Sequence, residues 1–194
     1  MDCAKIGGLI LNLRKEKNLT QKQLADAMNI SDKTISKWER GLGCPDVSLL
    51  PELSEILCVD IEKILLGNLE VNTFVGGNMK KSKYFVCPTC GNIVLCTGEA
   101  NVSCCGRKLE AMEMQKANDD EKLNLEIVEN EWFISSDHPM TKEHYISFIA
   151  FATGDKIQII KQYPEWGLQT RILKHQHGML LHYCTKHGLF YQLV

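Results

Sequence analysis

Along residues 5–66 the apolar positions recur every three or four residues, the spacing that lays one stripe along an α-helix. In KIGGLILNLRKEKN, Ile6, Leu9, Ile10 and Leu13 share a face. TQKQLADAM opens on a capping box: the Thr20 hydroxyl can accept from the backbone N–H of Gln23, whose side chain reaches back. A tight Asn29-Ile30 connection follows, then Ser31 as N-cap of SDKTISKWERG, which Gly41 ends. In that helix Ile35 and Trp38 form a narrow apolar face, and Asp32, Lys33, Ser36 and Lys37 point away from it. Two more helices are expected over roughly 46–57 and 60–66, the last stopping at Gly67.

The period then changes. GNLEVNTFVGGNMKKSK has no sustained periodicity and reads as a flexible linker. From residue 125 onward LEIVENEWFI, HYISFIAFAT, DKIQIIKQYP, LQTRILK, GMLLHYC and LFYQLV are short β-branched or aromatic runs between polar turns, with TGDK as a hairpin. These predict a small antiparallel sandwich of immunoglobulin-like type. The expected fold is multidomain: an all-α bundle of about five helices, a cysteine-rich knuckle and an all-β sandwich. The boundaries are read at 1–67, 68–82 (linker), 83–117 and 118–194.

Charge sharpens the helical part. Residues 5–40 carry eight Lys/Arg against four Asp/Glu, and residues 41–66 one Lys against five. One face of the bundle can therefore meet a polyanion although the chain's formal net charge is −2. A short helix, a tight turn and a second helix with an exposed polar face form a helix-turn-helix, whose second helix must enter the major groove. The run LRKEKNLTQKQLADAMNISDKTISKWERGLGCPDVSLLPELSEIL resembles the phage-repressor (Cro/CI, or XRE) helix-turn-helix domain. The resemblance implies that Gln21 sits against a phosphate. It places Asp32, Lys33 and Lys37, with Ser36 on the same face, at base-reading positions, Arg40 at a phosphate, and Trp38 in the core. The partner it implies is double-stranded DNA read by a homodimer; the plainer alternative is a bundle that only dimerises.

No apolar run approaches the roughly 20 residues that cross a bilayer, and MDCAKIGGLI lacks the pattern of a secretory signal. A cytoplasmic location without a membrane partner is expected, where thiols stay reduced. Nine cysteines then read as ligands or redox groups rather than disulfides. Cys3, Cys44, Cys58 and Cys96 fall in no pattern and read as small, mostly buried hydrophobes.

The other five are organised. Cys87 and Cys90 form a Cys-Pro-Thr-Cys knuckle, and Cys104 and Cys105 follow after thirteen residues, completing four sulfurs for iron or, alternatively, zinc. Neighbouring residues on an extended chain point opposite ways, so the adjacent pair demands a distorted backbone; Gly91 and Gly106 fit the turns. The segment resembles desulforedoxin, which implies iron.

In LHYCTKHGLF, Cys184 and His187 lie three residues apart, and DHPMTKEHYISF supplies His138 and His144. HPM…KEHYI and YC…HGL together resemble the iron domain of desulfoferrodoxin and neelaredoxin, the superoxide reductases. That resemblance implies an iron held by imidazoles with an axial thiolate and an open position for superoxide. A further histidine ligand is expected before His138, but the corresponding ANDDEKLNLEIVE offers Glu121, Lys122 and then Leu123. Lys122 is the one candidate for steering an anion. His175, His177 and His182 are candidates to compensate; His182 is read as pointing to the face opposite Cys184.

Two functions are weighed. One is a transcriptional regulator whose iron region senses superoxide, oxygen or iron status. The other is a superoxide reductase with an appended DNA-binding domain, served by an electron-donor protein. A blander reading is a zinc-stabilised DNA-binding protein whose C-terminal part dimerises it.

Overall fold

A computed structural model describes residues 2–70, 77–174 and 177–194, so the middle of the expected linker and His175 lie outside the described residues. The chain divides into two compact units, Met1–Val71 and Asn72–Val194.

The first unit is five α-helices: α1 Cys3–Glu16, α2 Gln21–Ala27, α3 Asp32–Glu39, α4 Leu50–Leu57 and α5 Ile61–Leu66. The caps are those the sequence dictates. Thr20 and Gln23 form both bonds of the capping box, Ser31 accepts from the Thr34 N–H, and Gly67 closes α5 at φ +71°. The single helix expected over 46–57 instead starts as a 3-10 turn, Val47–Leu49, with Asp46 capping it, because Pro51 sits in the first turn of α4 and supplies no N–H there. Ile6, Ile10, Leu24, Ile35, Trp38, Leu53 and Ile64 meet in one core.

Two features of this unit were not legible in the sequence pattern. Arg14, nearly buried, forks onto the Glu39 carboxylate at 2.5 and 3.0 Å and also donates to the Leu19 carbonyl. Burial alone would raise the Glu39 carboxyl, but the hydrogen bonds from Arg14 and Gln21 outweigh it and hold the group below its ordinary value. Cys3 and Cys44 form a disulfide, which corrects the reading of both as unorganised hydrophobes. They lie 41 residues apart, and it is the packing of α1 beside the loop after α3 that brings their Cα atoms to 5.0 Å. Cys58 is exposed, with its sulfur 3.1 Å from Lys17 Nζ.

The second unit begins with a one-turn helix, Met79–Lys81, within the stretch read as linker; the Met79 N–H bonds the Gly154 carbonyl, so this end is docked. Four short strands build the knuckle: β1 Lys83–Val86 with β2 Ile93–Cys96, and β3 Val102–Cys104 with β4 Arg107–Leu109. Strand β5 (Met114–Lys116) leaves it and joins a five-stranded sheet of order β5-β12-β11-β8-β9. The other strands of that sheet are β8 Ile146–Ala152, β9 Ile157–Lys161, β11 Met179–Cys184 and β12 Gly188–Leu193. A three-stranded sheet, β10-β7-β6 (Gln169–Leu173, Glu131–Ser135, Asn124–Val128), faces it. All pairings among the described strands are antiparallel except β12 with β5.

Both faces of the five-stranded sheet are covered, which is why ISFIAFA is almost continuously apolar rather than alternating. Ile149 and Phe151 point to the sandwich core with Ile134, Ile172 and Leu180. Phe148, Ala150 and Ala152 point the other way, onto Tyr84 and the β1-β2 hairpin.

Candidate functional site

Three groups of residues singled out by the sequence are brought together. On α3, Asp32, Lys33, Lys37 and Arg40 are exposed, Ser36 is half-buried and Trp38 is buried. At helical spacing, Lys33 and Lys37 form one row and Asp32, Ser36 and Arg40 its neighbour. The Gln21 side chain is held by Glu39 at 2.7 Å, so this residue is tied into the Arg14–Glu39 pair at the start of α2.

In the knuckle, the sulfurs of Cys87, Cys90, Cys104 and Cys105 lie within 4.8 Å of one another. The first pair is set by a turn in which the Gly91 N–H bonds the Cys87 carbonyl and Gly91 takes φ +66°. The second pair shows how adjacent thiols can face one side. Cys105 and Gly106 are the two central residues of a hairpin turn between β3 and β4, at φ +51° and +74°. Left-handed backbone costs a non-glycine residue about 1–2 kcal/mol, and here it swings the second thiol onto the side of the first. Backbone N–H groups of Cys90 and Thr89 lower the Cys87 thiol to about 6, against some desolvation. Crowding by the Cys90 and Cys87 sulfurs pushes Cys105 up to about 12. A low Cys87 thiol beside Cys104 and Cys105, both pushed up by their neighbours, belongs to a crowded sulfur set that a soft cation relieves.

In the sandwich, one donor atom from each of His138, His144, Cys184 and His187 also falls within 4.8 Å of the others. Ring centroids of His138 and His144 are 4.5 Å apart, and those of His144 and His187 4.6 Å. Cys184 ends β11 at a bulge against β8, buried, and the Lys186 N–H points at its sulfur at 3.4 Å. Thr185 fastens the two ligand segments together: its N–H bonds the Tyr145 carbonyl, and its hydroxyl accepts from Tyr145 N–H and donates to the Glu143 carbonyl. Both nitrogens of His138 and Nε2 of His144 are buried without a hydrogen-bond partner. Desolvation first, then neighbouring imidazoles, lowers the pKa of His138 and His144, which favours the neutral ring that ligates metals. Orphaned imidazole nitrogens converging with a buried sulfur fit a transition-metal ion of the iron or zinc kind.

These residues open onto a cavity of about 850 Å³ whose wall includes Asp119, Asp120, Glu121, Lys122 and Asp137. Lys122 is paired with Asp119 at 2.7 Å. Leu123 is core, and its backbone N–H and carbonyl are both held by the buried Gln192 amide. His177 is exposed. His182 corrects its expected direction: residues two apart on a strand share a face, so it lies on the Cys184 side, buried, stacked on Phe190 and lining the same cavity.

A family described as helix-turn-helix matches residues 10–64. The HTH-type transcriptional activator BcrR of Enterococcus faecalis is 46% identical over 55 residues, 28% of this chain and 27% of that protein. Desulfoferrodoxin of Clostridium acetobutylicum is 32% identical over 56 residues, 29% of this chain and 45% of that one. This chain thus spans less than half the length of either. The ImmF control region 10 kDa protein of Bacillus phage phi105 is 30% identical over 71 residues, 37% of this chain and 79% of its own. The crystal structure of superoxide reductase from Treponema pallidum superposes with a TM-score of 0.50 at 20% identity, covering 58% of this chain and 98% of that one, a likeness of fold. Through its N-terminal unit the chain belongs to the helix-turn-helix family, and its C-terminal region matches desulfoferrodoxin and the superoxide reductase fold.

Proposed function

We propose that this chain is a sequence-specific, DNA-binding transcriptional regulator whose C-terminal unit binds iron and reports superoxide, oxygen or iron status. The observation that carries the reading is one chain joining a helix with an exposed row of cations, α3, to two converging donor sets. Lys33 and Lys37 reach base edges or phosphates with Asp32 and Ser36 beside them, and Arg40 and the start of α2 at Gln21 meet the backbone of double-stranded DNA. A homodimer reads two half-sites.

Cys87, Cys90, Cys104 and Cys105 hold one iron, with zinc the alternative metal there, and His138, His144, Cys184 and His187 hold a second. Iron in these sets supplies one-electron chemistry. The chain's own groups determine how it is presented: half-buried His138 and His144, with buried unpartnered nitrogens, stay ready to ligate, the Lys186 N–H points at the Cys184 sulfur, and Thr185 keeps the two loops in register. An acidic cavity wall, with Lys122 already neutralised by Asp119, is a poor funnel for an anionic substrate. That favours reporting over rapid turnover.

The second reading, a superoxide reductase carrying a DNA-binding unit and served by an electron donor, is favoured by the open cavity at the His/Cys set. One preparation separates the two. Operator affinity is measured with the protein reduced and oxidised, and superoxide consumption is followed alongside. A sensor requires at least a tenfold change in affinity, equivalent to about 1.4 kcal/mol of coupling, with little turnover. Unchanged affinity with fast consumption reverses the assignment. Ferric thiolate is coloured and zinc thiolate is not, so the same sample reports the metal.

A further inference from the structure

We propose that His182 is a fourth imidazole donor to the metal held by His138, His144, Cys184 and His187; the inference rests on the reading that this set binds a metal. Residues 182 and 184 are two apart on β11, so both side chains leave the same face of the sheet, about 7 Å apart along the strand. Strand β11 is hydrogen-bonded on both sides, His182 facing Ile149 of β8 and Phe190 of β12, which fixes where the side chain starts. From there it enters the cavity that the four donors line.

His182 is only 3% exposed, and its ring Nδ1 is buried without a hydrogen-bond partner. A core histidine kept for packing ordinarily finds an acceptor or a donor. Here the neighbours are Phe190, stacked at 5.5 Å, and the apolar residues around Cys184. The same condition, buried ring nitrogens left without partners, marks His138 and His144, and the three form one class. His182 stands outside the compact set of four, so ligation draws its ring toward Cys184 by rotation of the side chain on a fixed backbone. The donor this adds comes from a strand of the five-stranded sheet, whereas Leu123 is committed to the core.

The full-length protein loaded with ferrous iron and then oxidised provides the test. The four-cysteine set contains no imidazole, so every imidazole nitrogen coupling in pulsed EPR reports on the His/Cys set. Wild type should show four such nitrogens. His182→Leu, which keeps the core filled, should show three, with affinity for the second iron down at least tenfold and the four-cysteine absorption unchanged. His182→Ala should recover the fourth coupling on addition of free imidazole, which decides the matter if the leucine variant folds poorly. Three couplings in wild type, or equal couplings and affinity in wild type and His182→Leu, overturn the inference alone. If wild type shows no imidazole coupling and Cys184→Ser retains as much iron as wild type, the metal reading of the whole set falls with it.

Discussion

At the scale of single residues, Gly7 governs how closely α1 approaches α3. A Cβ there would sit 1.9 Å from the Trp38 carbonyl oxygen and 2.9 Å from its carbon, both backbone atoms with no freedom to move aside. Gly7→Ala should therefore destabilise the N-terminal unit by about 1–3 kcal/mol or more, although alanine is the better helix former by roughly 1 kcal/mol. Denaturant melting that follows the helical circular dichroism of this unit checks it; a stabilised variant would contradict the close approach. The sequence shows a glycine inside a helical stripe but not the backbone that presses on it. The same limit hid the Cys3–Cys44 bond and the Arg14–Glu39 fork, which depend on α1, α3 and the following loop meeting in space. By contrast, the pairs Cys87–Cys90 and Cys104–Cys105 were legible, because a turn and a tight hairpin set each pair locally, while packing of the two hairpins brings the pairs together.

At the scale of elements, α3 was readable from end to end: Ser31 caps it, Ile35 and Trp38 anchor it, and Gly41 at φ +71° follows its end. Its polar face carries no packing duty that the described contacts reveal, so Lys33→Ala with Lys37→Ala should leave the melting temperature within a few degrees of wild type. Operator retention in a gel shift should nevertheless be lost, with the salt dependence of any residual binding weakened by about one unit of slope per phosphate contact removed. Retention at wild-type affinity would remove α3 from the interface. For β11 the period-2 rule carries more than a strand assignment. It puts His182 and Cys184 on one face and Tyr183 on the other, as the structure has them, and so overturns the opposite-face expectation for His182. The apolar run of β8 marked a strand correctly, but one-sided burial could not be distinguished from two-sided burial until the knuckle was seen against it.

At the scale of the molecule, the C-terminal unit is organised around one sheet with a core on each face. The knuckle contributes Tyr84, stacked 6.0 Å from Phe148, and β5, paired with β12; its removal would uncover Phe148, Ala150, Ala152 and Leu181 together. A chain restricted to residues 118–194 should therefore self-associate or melt well below residues 77–194, as size-exclusion chromatography and thermal melting would show. Monomeric behaviour with an unchanged melting temperature would mean the two cores are independent. Strands β8 and β11 are shared by both cores, since Cys184 faces one side and Tyr183 the other. In terms of amide hydrogen exchange, these central strands should open only in the unit's largest cooperative unfolding, and loosening of either core should quicken the same amides.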